Sequence, residues 1–218
     1  KKFITFEGGE GSGKSTQCKL LVKSFKIIGE DFIGQNSICL VLGDNIFYGS
    51  GFTEKLQSAV MRDKGSTIFA YYVNDPERYG VIEFDKEGMP SSIIEKPDKP
   101  KSNYAVTGLY FYDNDVVRIA KSIQPSDRGE LEITDLNNSY IEDGKLKVKL
   151  IRDSAAWFDT GNADQMFEAA MFVKSIQSRT GQMIGCIEEV AYMKKMIDED
   201  TFYELVRNMS ECQYKCYL

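Results

Sequence analysis

The densest chemical signal in this chain is Gly8, Gly11 and Gly13 followed by Lys14 and Ser15, a full match to the phosphate-loop pattern Gly-x4-Gly-Lys-Ser. Glycines let successive backbone N–H groups turn inward on phosphate oxygens, and a following helix N-terminus adds a favourable dipole. Lys14 would reach terminal phosphates and Ser15 would hold Mg²⁺. The plain alternative is a glycine-rich turn, but the β-prone run 2–7 before it and the helical spacing of 17–26 after it suit a strand–loop–helix unit.

A second constellation is a pair of carboxylates at the ends of strand-like runs, Asp44 and Asp159. In open α/β sheets ligands gather at the carboxyl ends of strands, and two acids there could chelate Mg²⁺, which also takes substrate phosphates. Cations and flat surfaces supply the complementary half. Lys96, after Glu95, and Arg128, in a loop before a helix, could hold a phosphate monoester, while Glu95 could accept hydrogen bonds from sugar hydroxyls. Tyr79-Gly80 sets a ring beside bare backbone, and Trp157, the only tryptophan, could pack on a sugar face. Each residue also has a structural use. Asp44 would serve as a turn residue, Asp159 as a helix cap, Tyr79 and Trp157 as core, and Lys96 and Arg128 as solvated charges.

Composition narrows the chemistry. The chain has no histidine, which removes imidazole general bases, Ser-His-Asp triads and most zinc sites. A net charge of -6 argues against a broad nucleic-acid-binding face, though not against a small basic phosphate pocket. Cys18, Cys39, Cys186, Cys212 and Cys216 form no CxxC pair and read as free thiols in a reducing compartment. With no long apolar run and no signal-peptide pattern, the expected location is the cytoplasm, away from any membrane.

The elements that must position these groups alternate between strand and helix. Strands are expected over 2–7, 37–42, 67–73, 79–84, 92–95, 104–112 and 146–151, with another carrying Trp157-Phe158-Asp159. Residues 85–88 read as the turn of a hairpin. Helices are expected over 17–26, 52–62, 114–122, 132–143 and 164–178, and the pattern is helical from 187 onward. The 37–42 run ends at Gly43-Asp44-Asn45, read as a turn. The alternation predicts an α/β three-layer sandwich around a mainly parallel mixed sheet, with a helical C-terminus.

In their ordered contexts these residues resemble a known family. Leu40-Val41-Leu42-Gly43-Asp44-Asn45-Ile46-Phe47-Tyr48-Gly49 is similar to the metal-strand signature of bacterial glucose-1-phosphate thymidylyltransferases. So are Asn74-Asp75-Pro76-Glu77-Arg78-Tyr79-Gly80-Val81, Glu95-Lys96-Pro97, residues 101–113, Arg128-Gly129-Glu130-Leu131-Glu132-Ile133-Thr134-Asp135 and Trp157-Phe158-Asp159-Thr160-Gly161. The resemblance runs from about residue 25 to the end. Residues 3–21, by contrast, resemble the beginning of thymidylate kinase. The resemblance divides the chain into a kinase-like strand–phosphate-loop–helix segment, 1–25, and a thymidylyltransferase-like domain, 26–218. The second lacks the family's own glycine loop and base-recognition strands.

That likeness implies a nucleotide-diphospho-sugar transferase fold, N-terminally truncated, and a homo-oligomer, tetrameric in the family. It implies a Mg²⁺-dependent reaction of dTTP with glucose 1-phosphate to give dTDP-glucose and pyrophosphate. Asp44 and Asp159 would bind the metal, and Lys96 and Arg128 would be catalytic, holding the sugar phosphate. Tyr79, Gly80, Glu95 and Val106 would contact the sugar, with Trp157 beside it. Gly8, Gly11, Gly13, Lys14 and Ser15 would take the nucleotide phosphates, and the loss of the family's own loop is expected to impair activity. Two other readings stand beside this one: a thymidylate kinase, or a catalytically inactive fusion remnant.

Overall fold

The apolar runs of the chain are rich in β-branched and aromatic residues, and they pair as such residues do. A computed structural model describes residues 33–126, 129, 131–151 and 155–218 and the backbone of 2–6. The chain divides into two units, Lys1–Met166 and Phe167–Leu218. The first carries β1 (Lys2–Phe6), β2 (Ile38–Leu42), β3 (Asn45–Gly49), α1 (Phe52–Val60), β4 (Ser66–Tyr72) and a 3₁₀ turn (Pro76–Arg78). There follow β5 (Gly80–Phe84), β6 (Pro90–Glu95), β7 (Tyr104–Tyr112), α2 (Asp115–Ser122), α3 (Ile133–Glu142), β8 (Leu146–Ile151), β9 (Ala155–Asp159) and the start of α4 (Ala163–Thr180).

Among the described residues the main sheet has seven strands, in the order β1-β2-β7-β4-β8, with the β5–β6 hairpin joined to β7 through β5. β1 lies parallel to β2 and β4 to β8, whereas β7 runs antiparallel to β2, β4 and β5. Five of the described strands therefore share one direction, and the sheet is mixed because β6 and β7 run against them. Side chains alternate across the strands, so each face collects its own set. Ile38, Leu40, Ile68, Ala70, Tyr110 and Tyr112 pack with Val116 and Ile119 of α2 and Leu136 and Tyr140 of α3. Phe69, Leu109 and Phe111 turn the other way, toward Ala59 and Leu56 of α1 and toward Phe47 and Ala155. The expected layered α/β sandwich is the result.

One element departs from the expectation. The sequence reads Gly43-Asp44-Asn45 as a turn and places no strand between it and the helix expected from 52; Gly43 and Asp44 do turn, but Asn45–Gly49 forms β3. This strand leaves the main sheet and pairs antiparallel with β9 as a separate two-stranded ribbon.

A side chain locks the seam between β4 and β8. The Arg62 guanidinium donates to the carbonyls of Ser66 and, at 2.8 Å, Lys145, beside Gly65 at φ 83. A Cβ on Gly65 would stand 2.4 Å from the Lys145 carbonyl, so only glycine fits there. Arg62→Ala removes those donors and is expected to cost about 1–2 kcal/mol. A lower urea midpoint with unchanged activity per folded molecule is the measurement.

The second unit is helical: the rest of α4, then α5 (Ile187–Met193), α6 (Glu199–Asn208) and α7 (Gln213–Tyr217). Asp198 caps α6 by accepting from the Thr201 N–H at 2.9 Å, and Phe202 stacks on Tyr192 with ring centroids 4.9 Å apart. Cys212 and Cys216 are exposed free thiols, while burial pushes the Cys39 thiol in β2 up to about 11. Among the described residues no helix is long and apolar enough to cross a membrane.

Candidate functional site

The ribbon of β3 and β9 brings the backbones of the two expected metal residues close together. Asn45 lies opposite Asp159 in the antiparallel register, so Asp44, one residue before β3, stands opposite Thr160, the residue that follows Asp159. The turn is fixed by Thr160, whose N–H and hydroxyl both donate to the Asp44 carbonyl, at 2.8 and 2.9 Å. Asp44 is buried, and its carboxylate accepts from the Asn45 amide at 2.9 Å. Among the described residues no group of three or more Asp, Glu or Cys side chains could hold a metal by itself. Two acidic residues on neighbouring backbones would suit Mg²⁺, a hard cation that keeps waters and substrate phosphates as its other ligands.

Asn45 ties Asp44 to an aromatic wall. Its amide oxygen accepts from the Gly108 N–H at 2.8 Å and from the Trp157 indole N–H at 2.6 Å. Trp157 is only 8% exposed, so it is core as well as wall. Its ring lies 5.4 Å from that of Tyr79, inclined by 60°, and 5.9 Å from Tyr71. Neither Asn45 nor Gly108 stands out individually as a site residue in the sequence. The available signal was Gly108 itself, since a glycine inside a strong strand marks a close approach of other atoms.

Across the β5–β6 pair, Gly80 faces Glu95. Glu95 is half-buried and accepts from the Thr134 hydroxyl of α3 at 2.8 Å. A Cβ on Gly80 would come within 3.2 Å of that carboxylate and 3.4 Å of the Thr134 hydroxyl. Burial, with the Glu95 charge second, holds the neighbouring Asp135 carboxyl above its ordinary range. Lys96 is exposed and adopts φ 44, a left-handed conformation rare for a residue with a side chain. Its N–H donates to the Tyr79 carbonyl at 3.0 Å, so the backbone of Lys96 is pinned to the residue bearing the ring. Val106 lies half-buried on β7, paired with Ala70.

Arg128 and the whole set Gly8, Gly11, Gly13, Lys14 and Ser15 lie outside the described residues. The strand before that loop is described. Phe6 pairs with Leu42 in parallel register, so β1 ends at the same edge of the sheet as β2, where Gly43 and Asp44 follow.

An edge with two carboxylates, a lysine on a constrained backbone, a carboxylate positioned by a hydroxyl, and an indole–phenol wall can bind a polyhydroxylated phosphate ester beside a metal-bound phosphate.

Comparison with known proteins agrees with that chemistry. Residues 21–176 match the nucleotidyl transferase family. The chain is 50% identical over 192 residues to a glucose-1-phosphate thymidylyltransferase of Neisseria meningitidis serogroup A, covering 88% of this chain and 67% of that protein. It is 46% identical over 192 residues to one of Mycobacterium tuberculosis, with 88% and 66% covered. Among solved structures, a Bacillus anthracis protein assigned as a glucose-1-phosphate thymidylyltransferase, in complex with sucrose, superposes with a TM-score of 0.58 at 36% identity. That match covers 71% of this chain and 59% of the other. A UDP-glucose pyrophosphorylase complexed with UDP-glucose, 23% identical, shares the fold with a TM-score of 0.56, covering 67% and 59%. The chain spans about two thirds of the length of the curated relatives it matches. These matches favour the nucleotidyltransferase reading over the kinase one.

Proposed function

The chain belongs to the nucleotidyl transferase family and is a homologue of the glucose-1-phosphate thymidylyltransferases, and from that premise we propose that it joins dTTP and glucose 1-phosphate. A phosphate oxygen of glucose 1-phosphate attacks the α-phosphorus of dTTP, the bond from that phosphorus to the bridging oxygen of pyrophosphate breaks, and dTDP-glucose and pyrophosphate leave. The attacking oxygen is already an anion, so no general base is required, in keeping with a chain that has no histidine. The work left to the protein is alignment and charge neutralisation.

Asp44 and Asp159 would hold Mg²⁺. When bound, the ion draws negative charge from the phosphates and so lowers the barrier to displacement. Lys96 and Arg128 hold the phosphate of the sugar as the catalytic cations. Glu95 and the backbone of Gly80 accept and donate to sugar hydroxyls, with Val106, Tyr79 and Trp157 around the ring. Gly8, Gly11, Gly13, Lys14 and Ser15 grip the triphosphate of dTTP at the edge to which β1 runs. The setting that goes with this reading is a cytoplasmic homo-oligomer.

The observation that supports the reading most directly is the β3–β9 register, which brings the backbone of Asp44 beside the end of β9 that carries Asp159, with the Asp44 carboxylate joined through Asn45 to Trp157. The test is run in reverse. Purified protein given Mg²⁺, dTDP-glucose and pyrophosphate is expected to release dTTP, and EDTA is expected to stop it. Absence of turnover with glucose 1-phosphate still bound would favour the inactive remnant.

A further inference from the structure

We infer that Gln165, in the first turn of α4, is a positioning residue that sets the aromatic wall against which the sugar packs; the inference rests on the sugar-site reading above. Its amide stands among the Asp159 carbonyl, the Tyr79 hydroxyl and the Arg78 guanidinium. In one orientation Oε1 accepts from the Asn162 amide at 2.8 Å and Nε2 donates to the Tyr79 hydroxyl at 3.1 Å, but Oε1 then faces the Asp159 carbonyl and Nε2 the Arg78 guanidinium. The opposite orientation gives up the Asn162 bond, relieves both repulsions and keeps the Tyr79 contact, and the network favours it. Turned that way, Nε2 donates to the Asp159 carbonyl at 3.0 Å, and Oε1 accepts from the Tyr79 hydroxyl at 3.1 Å and from Arg78 Nη2 at 3.0 Å.

Both donors are prepared for this role. Burial raises the Tyr79 hydroxyl above the ordinary phenol value, against the opposing pull of Arg78, so it keeps its proton throughout the neutral range. Arg78 is held by Asp75 at 2.8 Å, with its guanidinium carbon 5.7 Å from the centre of the Tyr79 ring.

The consequence is geometric. Lys96 fixes one end of Tyr79, through the backbone, and Gln165 fixes the other, through the hydroxyl. Gln165 is bonded in turn to the last residue of β9, the strand that carries Trp157 and Asp159. One amide therefore spans from the backbone of the carboxylate strand to the far end of the ring that leans on Trp157. Without it, the phenol is free to rotate away, and the flat surface offered to a pyranose is lost. In the sequence Gln165 gives no signal beyond a polar residue near a helix start.

Trp157 is the only tryptophan, so its emission reports the wall directly. In Gln165→Ala the emission is expected to shift to the red with no sugar phosphate present. The dissociation constant for glucose 1-phosphate is expected to rise about five- to tenfold, with that for dTTP unchanged. Tyr79→Phe, which removes only the hydroxyl, should match it, and the double variant should be no worse than either. Unchanged emission in Gln165→Ala, or a proportional weakening of both ligands that tracks a fall in Tm, would overturn the inference and leave a residue of the helix turn alone. A parent protein that binds no glucose 1-phosphate, while its emission still responds to Gln165→Ala, would overturn the sugar-site reading and not the clamp.

Discussion

Replacing Asp44 by Asn is expected to lower the rate of dTDP-glucose formation roughly a thousandfold while leaving the fold intact. The substitution keeps the shape of the side chain and exchanges a charged oxygen for an amide nitrogen. The Asn45 amide can still donate to the remaining oxygen, and the Thr160 contacts fall on the Asp44 backbone, so stability should change by less than about 1 kcal/mol. What disappears is the charge that would hold Mg²⁺. Asp159→Asn should have a similar effect, and the double variant should be little worse, because either loss alone empties the same metal position. Initial rates across a Mg²⁺ titration, paired with Tm, are the measurement. A variant within fivefold of the parent at the same Mg²⁺ requirement would remove Asp44 from the metal assignment.

That expectation could be framed from the sequence because Asp44 and Asp159 each follow a strand-like run. Their adjacency could not. It depends on the register of β3 with β9, and β3 is a strand the sequence conceals, since a Gly-Asp-Asn triplet satisfies the local rules for a turn. The main sheet was far more legible. In β7 the run Tyr104–Tyr112 is bounded as expected because nearly every residue from Ala105 onward is buried, leaving a continuous apolar signal. The helices expected over 52–62, 114–122 and 132–143 were likewise found within two residues of their ends, since their apolar spacing faces a single sheet, whereas the one expected over 17–26 lies outside the described residues.

Side chains whose role comes from distant partners were the ones missed. Thr134 became visible only through Glu95 and Gln165 only through Tyr79, each contact joining segments far apart in the chain. Lys96 shows the reverse case. Its charge drew attention in the sequence, but its left-handed backbone and the bond to the Tyr79 carbonyl, which explain how the lysine is presented, came only with the fold.

Gly108→Ala is expected to be nearly as damaging as loss of a carboxylate, by a different route. A Cβ there would lie 2.7 Å from the Asn45 side-chain carbon and 2.8 Å from both its amide nitrogen and oxygen, closer than such atoms approach. No left-handed backbone is involved, so the whole cost falls on Asn45. That amide cannot swing aside freely, because it joins the Gly108 N–H, the Trp157 indole and the Asp44 carboxylate. Displacing it leaves a nearly buried indole N–H without its acceptor and turns the Asp44 carboxylate loose. The expected cost is about 2–3 kcal/mol of stability, with at least roughly a hundredfold loss of kcat/KM. The cause can be isolated by removing what the methyl group strikes. In an Asn45→Ala background, Gly108→Ala should cost little further stability, because the three atoms nearest the new methyl group are gone, while activity should stay low because Asp44 has lost its donor. Equal destabilisation by Gly108→Ala in both backgrounds would mean that the glycine serves the strand alone and that Asn45 does not link the Asp44 carboxylate to the wall.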